Sequence, residues 1–414
     1  MRIFILLLGA LMLCGCSSAE KPVIVMCSPK PAIVSHHSDS NEDKSVSEDR
    51  YEPVVYEEQH AVWLTYIELA ELFSGESSAE DLRRDSDRLF SRLSELGFNT
   101  VYLHVRAFGD AFYDSELFAP TRYLAFDCDP LAVMLGTAHS HGLSVHAWVN
   151  PLRCETEAEM WRSEGTLIGE WYNNTDRYEG YMIRPEGDGH YWLNPAVPEV
   201  RQLAADGVTE LCENYDIDGV HIDDYFYPTT DESFDAPQYA ADDRGLSLAD
   251  WRRENCTLLV RGIWSAVKKA DPALPFGVSP QGNIANNYDI LYADVGRWCS
   301  EEGCLDYIVP QIYFGYDNEV CPFTETLEEW ERLSHGKTLI CGIGMYKAAE
   351  GGELSGGEYS GVIARQIRDT LSSPGYSGFA VYSCSSLLNE TDPGLIGERA
   401  AMKGLATFPP RGAA

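Results

Sequence analysis

Between His221 and Tyr227 the chain places a histidine, two adjacent carboxylates and three aromatics, within the stretch Asp218-Gly219-Val220-His221-Ile222-Asp223-Asp224-Tyr225-Phe226-Tyr227-Pro228. Val220 and Ile222 share one face of a short strand, and His221 and Asp223 share the other, as the two-residue side-chain repeat requires. Desolvating a carboxylate is costly unless something compensates, so a core strand has no structural reason to end in acids. Glycosidic bond cleavage does need them: a protonated acid at the leaving oxygen and an ionised carboxylate near the anomeric carbon. Asp223, inward at the strand end, is expected as the ionised partner, nucleophile or base. His221, on the same face, is expected to hydrogen-bond substrate or Asp223 and keep it charged. Alternation turns Asp224 away, so it can be the acid only if the strand has already ended. Asp110, Asp114 and Asp317 are the other candidates for the acid.

The elements that must position these groups alternate strand and helix. Ala61 to Tyr66 reads as a strand, Ala79 to Leu96 as a helix closed by Gly97, and Asn99 to Arg106 as a second strand. Pro130 to His141 is helical, Leu143 to Asn150 a third strand, Val197 to Tyr215 a helix, and Gly219 to Asp223 the fourth strand. Ser247 to Ala270 is a long helix, with Ser247 as its cap, before a fifth strand, Phe276 to Pro280. A helix over Tyr288 to Cys299 precedes the sixth strand, Asp306 to Tyr313. A helix over Thr326 to Leu333, a seventh strand at Thr338 to Ile343, a helix over Val362 to Leu371, an eighth strand at Gly378 to Ser383 and a closing helix from Leu395 complete the series. Eight such units predict an α/β (β/α)8 TIM barrel; an open doubly wound sheet would want a Gly-rich turn after its first strand, and Tyr66-Ile67-Glu68 is not one.

Barrel chemistry sits where strands end. Those ends carry Thr65, Tyr66, His104, Arg106, Trp148, Asn150, His221, Asp223, Asp224, Tyr225, Ser279, Gln281, Gln311, Tyr313, Gly344, Tyr346, Tyr382 and Ser383. Flat aromatic faces beside amides and hydroxyls suit a sugar ring, whose C–H faces stack while its hydroxyls take directed hydrogen bonds. Arg106, Asn150, Gln311 and Tyr313 are assigned to substrate positioning, with His104, Asp110, Trp148 and Tyr225 in the same binding set. A long inserted loop after the third strand, from Pro151 to Pro198, holds Trp161, Trp171, Tyr172, Tyr178, Tyr181, Tyr191 and Trp192 and is expected to form one wall of a glycan groove.

At the N-terminus a basic start, an apolar run from Ile3 to Leu13 and Leu13-Cys14-Gly15-Cys16 make an export signal too short to span a bilayer. The ending resembles a bacterial lipobox, implying residues 1–15 as signal peptide and Cys16 as the lipidated first residue of an exported lipoprotein. Such a protein would be anchored to a cell-envelope membrane, the outer one in a Gram-negative cell. Residues 16–56, rich in Ser, Pro and charge, read as a flexible tether, 57–406 as the barrel domain and 407–414 as a tail. The net charge of -34 argues against a nucleic-acid partner. Nine of the 12 cysteines follow residue 100, without a Cys-x-x-Cys zinc pair; Cys299 and Cys304 are close in sequence, but spacing does not establish pairing.

Asn99 through Arg106, Gly109-Asp110-Ala111-Phe112-Tyr113, His146 through Pro151, Asp218 through Pro228 and Asp306 through Tyr313 together resemble the glycosyl-hydrolase-like ten family. The resemblance runs from about Ala61 to Ser386. It implies a bacterial barrel lipoprotein acting on the glycan strands of peptidoglycan, without a cofactor. Ser279 through Asn286 departs from the Phe-Gly-Ile-Trp-Arg-like run more usual there, which implies different local contacts with substrate. Two other readings compete with hydrolysis by carboxylates. One is a non-catalytic glycan-binding barrel, which the aromatics alone would serve. The other is a metal-dependent hydrolase in which His104, His146 and His221 join Asp223 at an ion.

Overall fold

The computed structural model describes residues 51–403 apart from 73, 75–77, 124, 125 and 356–360. Cys16, residues 16–50 of the expected tether and the tail 407–414 lie outside the described residues. The alternation read from the sequence is realised as a parallel ring. Its strands are β1 (Gln59–Leu64), β2 (Thr100–Arg106), β3 (Ser144–Val149), β4 (Gly219–Ile222), β5 (Phe276–Val278) and β6 (Tyr307–Ile308). They are followed by β7, in the two pieces Thr338–Leu339 and Cys341–Gly344, and β8 (Gly378–Tyr382). The first piece of β7 pairs with β6 and the second with β8, while β8 pairs with β1. Ile340, between the pieces, still donates its N–H to the Ile308 carbonyl at 3.0 Å. The nine hydrogen-bonded segments therefore make eight strands in chain order, closed on themselves.

Apart from Thr338 and the partly exposed Tyr382, the strand residues are buried on both faces, as in a barrel wall wrapped by helices. The outward faces, including Val62, Val101, Val145, Val220 and Val278, pack under helices such as Ala79–Glu95, Pro198–Asn214 and Leu248–Ala270. Facing inward, Ala61, Trp63, Tyr102, Trp148, Tyr307, Val309, Ile340 and Ala380 fill the barrel as a separate core. The Tyr102 ring stacks on His221 at 4.1 Å, and a Cβ on Gly277 would lie 2.0 Å from the Tyr307 ring. Rings this large fit because glycine leaves them room.

Three expectations change. The helix expected from Tyr288 to Cys299 is two short ones, Ile284–Asp289 and Val295–Ser300, capped by the side chains of Asn283 and Asp294. Tyr292 between them takes φ 53°, a conformation that ends a helix. The inserted loop is a small structure of its own, a three-stranded sheet of Arg153–Thr156, His190–Leu193 and Met182–Ile183 with the helix Leu167–Asn173. Its Trp171 and Trp192 are buried, and Tyr172, Tyr178, Tyr181 and Tyr191 pack within it and against the core, so most of its aromatics hold the insertion together. Residues 51–56, expected as the end of the tether, are seated on the barrel: Tyr51 Oη and the Val54 N–H donate to the buried Asp218 carboxylate at 2.5 and 2.7 Å. The nine cysteines after residue 100 are free thiols, Cys299 and Cys304 included. Among the described residues no helix is long and apolar enough to cross a membrane.

Candidate active site

β4 ends at Ile222, one residue before the first acid. Beyond that point strict alternation no longer applies, and both Asp223 and Asp224 line one pocket at the carboxyl ends of the strands, about 280 Å³ in volume. His104 and Trp148 from β2 and β3, Asn150 and Arg153 after β3, Tyr225, Gln311 and Tyr313 after β6, Tyr346 after β7 and Tyr382 of β8 complete most of its wall. A larger cleft of about 900 Å³ lies elsewhere, between Tyr113, Asp114, Trp161, Glu210 and Tyr215. The smaller pocket is the better site because it joins two carboxylates to the aromatic rim expected of the barrel.

The two acids differ in environment. Asp223 is 3 % exposed and accepts the Trp148 indole N–H at 2.9 Å. Burial, then the neighbouring Asp224 charge, pushes its carboxyl up to about 8, against the pull of the Trp148 and Tyr225 donors and of Arg153. Asp223 thus keeps its proton at neutral pH, which fits a proton donor and not the ionised partner expected of it. Asp224 is half-buried, and burial raises its carboxyl too, but the Gln281 and Gln311 amides favour its charged form; Gln311 Nε2 donates at 3.1 Å. Adjacent carboxyls in one pocket titrate as a pair, and in this pair the surroundings differ: Asp223 is the member pushed up to about 8, and Asp224 the member whose charged form is favoured by side-chain amides.

His221 takes no part in this. It is fully buried one layer below, its Nε2 accepting the Trp63 indole N–H at 3.2 Å and its Nδ1 lying 3.1 Å from Tyr307 Oη. Burial among other rings holds it well below the ordinary histidine range, so it is a neutral core residue whose nitrogens point away from Asp223. His146 lies 2.7 Å from the same Tyr307 hydroxyl, and burial pushes it down to about 4. His104 stacks on Trp148 at 3.8 Å and is pushed down to about 3. His146 and His221 thus share the Tyr307 hydroxyl while His104 stacks on Trp148, and among the described residues no group of three or more His, Cys, Asp or Glu is placed to hold a metal ion.

Two expected binding residues are elsewhere. The β2 register shifts between His104 and Arg106, and an irregularity of that kind re-aims the side chain that follows it. Arg106 accordingly leaves the rim and lies over the Phe118 ring, 4.4 Å from its centre, beside Gly207 of the surrounding helix. Asp110 is buried in a turn, accepting the Ala107 and Phe108 N–H groups at 3.2 and 2.9 Å. Neither lines the pocket, and nor do Asp114 or Asp317. Asn150 does both jobs, lining the pocket while its Oδ1 accepts from Leu152 and Arg153 N–H groups.

Sequence reasoning passed over Arg153 and Trp63. Arg153 lies 5.1 Å from the Tyr225 ring centre and 3.1 Å from His190 Nδ1, and brings the insertion into the pocket wall. The insertion thus contributes a guanidinium where a wall of aromatics was expected. Its signal was its place two residues after Pro151, at the start of the segment following β3. Trp63 shares a β1 face with Ala61 and Thr65, and that parity marked it as inward.

The sequence model of the family described as Glycosyl hydrolase-like 10 matches residues 58–348. A glycosyl hydrolase of Bacillus subtilis, YngK, is 32 % identical over 300 residues, covering 66 % of this chain and 57 % of its own length. The Escherichia coli glycosyl hydrolase DigH is 32 % identical over 285 residues, 62 % of this chain and 64 % of its own. The match thus spans somewhat over half the length of these relatives. Among solved structures, the PgaB (BpsB) glycoside hydrolase domain from Bordetella bronchiseptica superposes with a TM-score of 0.57 at 14 % identity, covering 83 % of this chain and 98 % of that domain. A β-galactosidase from the psychrophilic Marinomonas ef1 gives 0.53 at 11 % identity over 84 % of this chain and 58 % of its own. At these identities the likeness is one of fold.

Proposed function

The chain belongs to the glycosyl hydrolase-like 10 family, and from that premise we propose that it hydrolyses glycosidic bonds in a cell-envelope polysaccharide, the glycan strands of peptidoglycan. One observation carries the reading: two consecutive carboxyls in unlike surroundings, Asp223 held protonated at neutral pH and Asp224 hydrogen-bonded by an amide that favours its charged form, open into a single pocket walled by Trp and Tyr rings. Asp223 donates its proton to the leaving oxygen, and Asp224 supplies the negative charge that offsets the oxocarbenium-like centre. Gln311 orients Asp224, Trp148 orients Asp223, and the rings of Tyr225, Tyr313, Tyr346 and Tyr382 offer faces for the apolar side of a sugar. No metal or other cofactor enters this scheme.

Mass spectrometry of fragments released from purified peptidoglycan, with and without its stem peptides, tests the proposal. Soluble sugar fragments are expected from the wild-type protein. Asp223→Asn and Asp224→Asn should each lower release by about 100-fold or more, a typical size for lost acid–base help. Strand binding without release by the wild type would replace catalysis with a binding role. The lipobox-like Leu13-Cys14-Gly15-Cys16 supports a further element of the proposal, anchorage of an exported protein through a lipid on Cys16. Metabolic labelling with a fatty-acid analogue should mark the wild type and not Cys16→Ala; equal labelling would remove the anchor from the account.

A further inference from the structure

The pair that would cut the glycan comes from consecutive residues, and that placement limits how it can work. In ordinary glycoside hydrolysis two carboxyls flank the scissile bond, one at the leaving oxygen and one across the ring at the anomeric carbon. Here both leave the end of β4, their Cα atoms about 3.8 Å apart, and each leans toward a different neighbour along the same side of the ring. Asp223 is drawn to Trp148 of β3 and to the Arg153 side, Asp224 to Gln311 after β6.

In a ring of eight strands in chain order, the wall facing β4 is β8 with its neighbours β7 and β1. That wall is aromatic, and Tyr313 from the loop after β6 joins it. Trp63, Tyr313, Tyr346 and Tyr382 form a box, with Tyr382 ring-centre distances of 6.0 Å to Trp63, 5.7 Å to Tyr313 and 5.9 Å to Tyr346. Asp223 and Asp224 are the carboxylates that line the pocket among the described residues. Glu68, close behind Tyr382, has its carboxylate occupied by the Thr65 and Ser385 N–H groups and by Ser383 Oγ.

We propose that the missing nucleophile is supplied by the substrate: the site acts on a sugar bearing a 2-acetamido group trans to the leaving oxygen, and the acetamide oxygen attacks the anomeric carbon. This rests on the glycosidase reading and names the substrate class of the same pocket. In the first step the acetamide carbonyl oxygen bonds to C1 as the bond from C1 to the leaving oxygen breaks, and the Asp223 proton passes to that oxygen. Asp224 accepts the acetamide N–H and balances the positive charge of the resulting cyclic oxazolinium. In the second step water adds to C1, giving its proton to the Asp223 carboxylate as the bond from C1 to the acetamide oxygen breaks. The configuration at C1 is retained, and the acetamide is restored. The aromatic box accommodates the acetamide methyl. Tyr313, Tyr346 and Tyr382 line the pocket, and each carries a hydroxyl able to donate to the carbonyl oxygen.

The experiment compares peptide-free peptidoglycan strands with the same strands de-N-acetylated, using the full-length protein, and follows product configuration by NMR. A thiazoline fused to N-acetylglucosamine, a stable mimic of the cyclic intermediate, is the inhibitor probe. Expected results are retention, a loss of about 100-fold or more on the de-N-acetylated strands, competitive inhibition by the thiazoline, and Asp224→Asn lowering kcat far more than it raises KM. Cleavage of both kinds of strand at similar rates, or inversion at C1, would overturn acetamide participation and leave the glycosidase reading in place. Failure to cut either kind would end the glycosidase reading itself and this inference with it.

Discussion

Asp223 holds a proton at pH 7 because its carboxyl is buried beside a second acid, with the Trp148 N–H, the Tyr225 N–H and the nearby Arg153 as the forces favouring its charge. If that proton is the one given to the leaving oxygen, activity should fall as pH rises through about 8. It should also fall on the acid side as Asp224, itself raised by burial, takes up a proton. A pH–rate profile with no alkaline limb near that value would reassign the acid. The same burial affects stability. Because the folded value lies above the roughly 3.9 of a free aspartate, Asp223's contribution is fully present below about pH 4 and is lost as pH rises toward about 8. Asp223→Asn, which keeps an acceptor for Trp148, should therefore be more stable than wild type by an amount that grows across that window to a few kcal/mol. Denaturant titrations at pH 4 and pH 8 measure it; an equal difference at both would mean that Asp223 is not held protonated.

The strands hold these groups still because the barrel interior is filled. Tyr307 Oη reaches both His146 and His221, and Tyr102 stacks on His221, so the layer beneath the acids is a packed set of rings. Gly277 on β5 makes that layer possible, its missing side chain leaving space for Tyr307. Gly277→Ala should destabilise the fold by about 1–3 kcal/mol through overpacking, read as a lower denaturation midpoint, while an unchanged midpoint would show the layer to be loosely filled. β2 illustrates the opposite lesson. Its pattern of alternating side chains predicts Arg106 on the same face as His104, but one register shift sends the guanidinium outward to Phe118.

Across the whole domain, the chain ahead of β1 is part of what closes the amino end of the barrel. Asp218, fully buried, accepts from Tyr51 Oη, the Val54 N–H and the Val145 N–H, with His139 Nε2 at 2.9 Å. Deleting residues 51–56 should strip two donors from a buried carboxylate and cost roughly 1–3 kcal/mol, compared by chemical denaturation with a chain beginning at Tyr51. Equal stability would return these residues to the tether. The sequence by itself determined the eight-fold alternation of strand and helix, the rim that collects Asp223, Trp148, Gln311, Tyr313 and Tyr382, and the apolar wall beneath it, because periodicity and strand ends are local properties of the chain. Tertiary structure alone decided that Asp223 keeps its proton, that Asp224 shares the pocket, that His221 and Arg106 do not serve it, and that Arg153 does. Those outcomes depend on burial, on where β4 stops, on a slip between β2 and β3, and on which rings meet inside a closed barrel, and each of these is set by residues far apart in the chain.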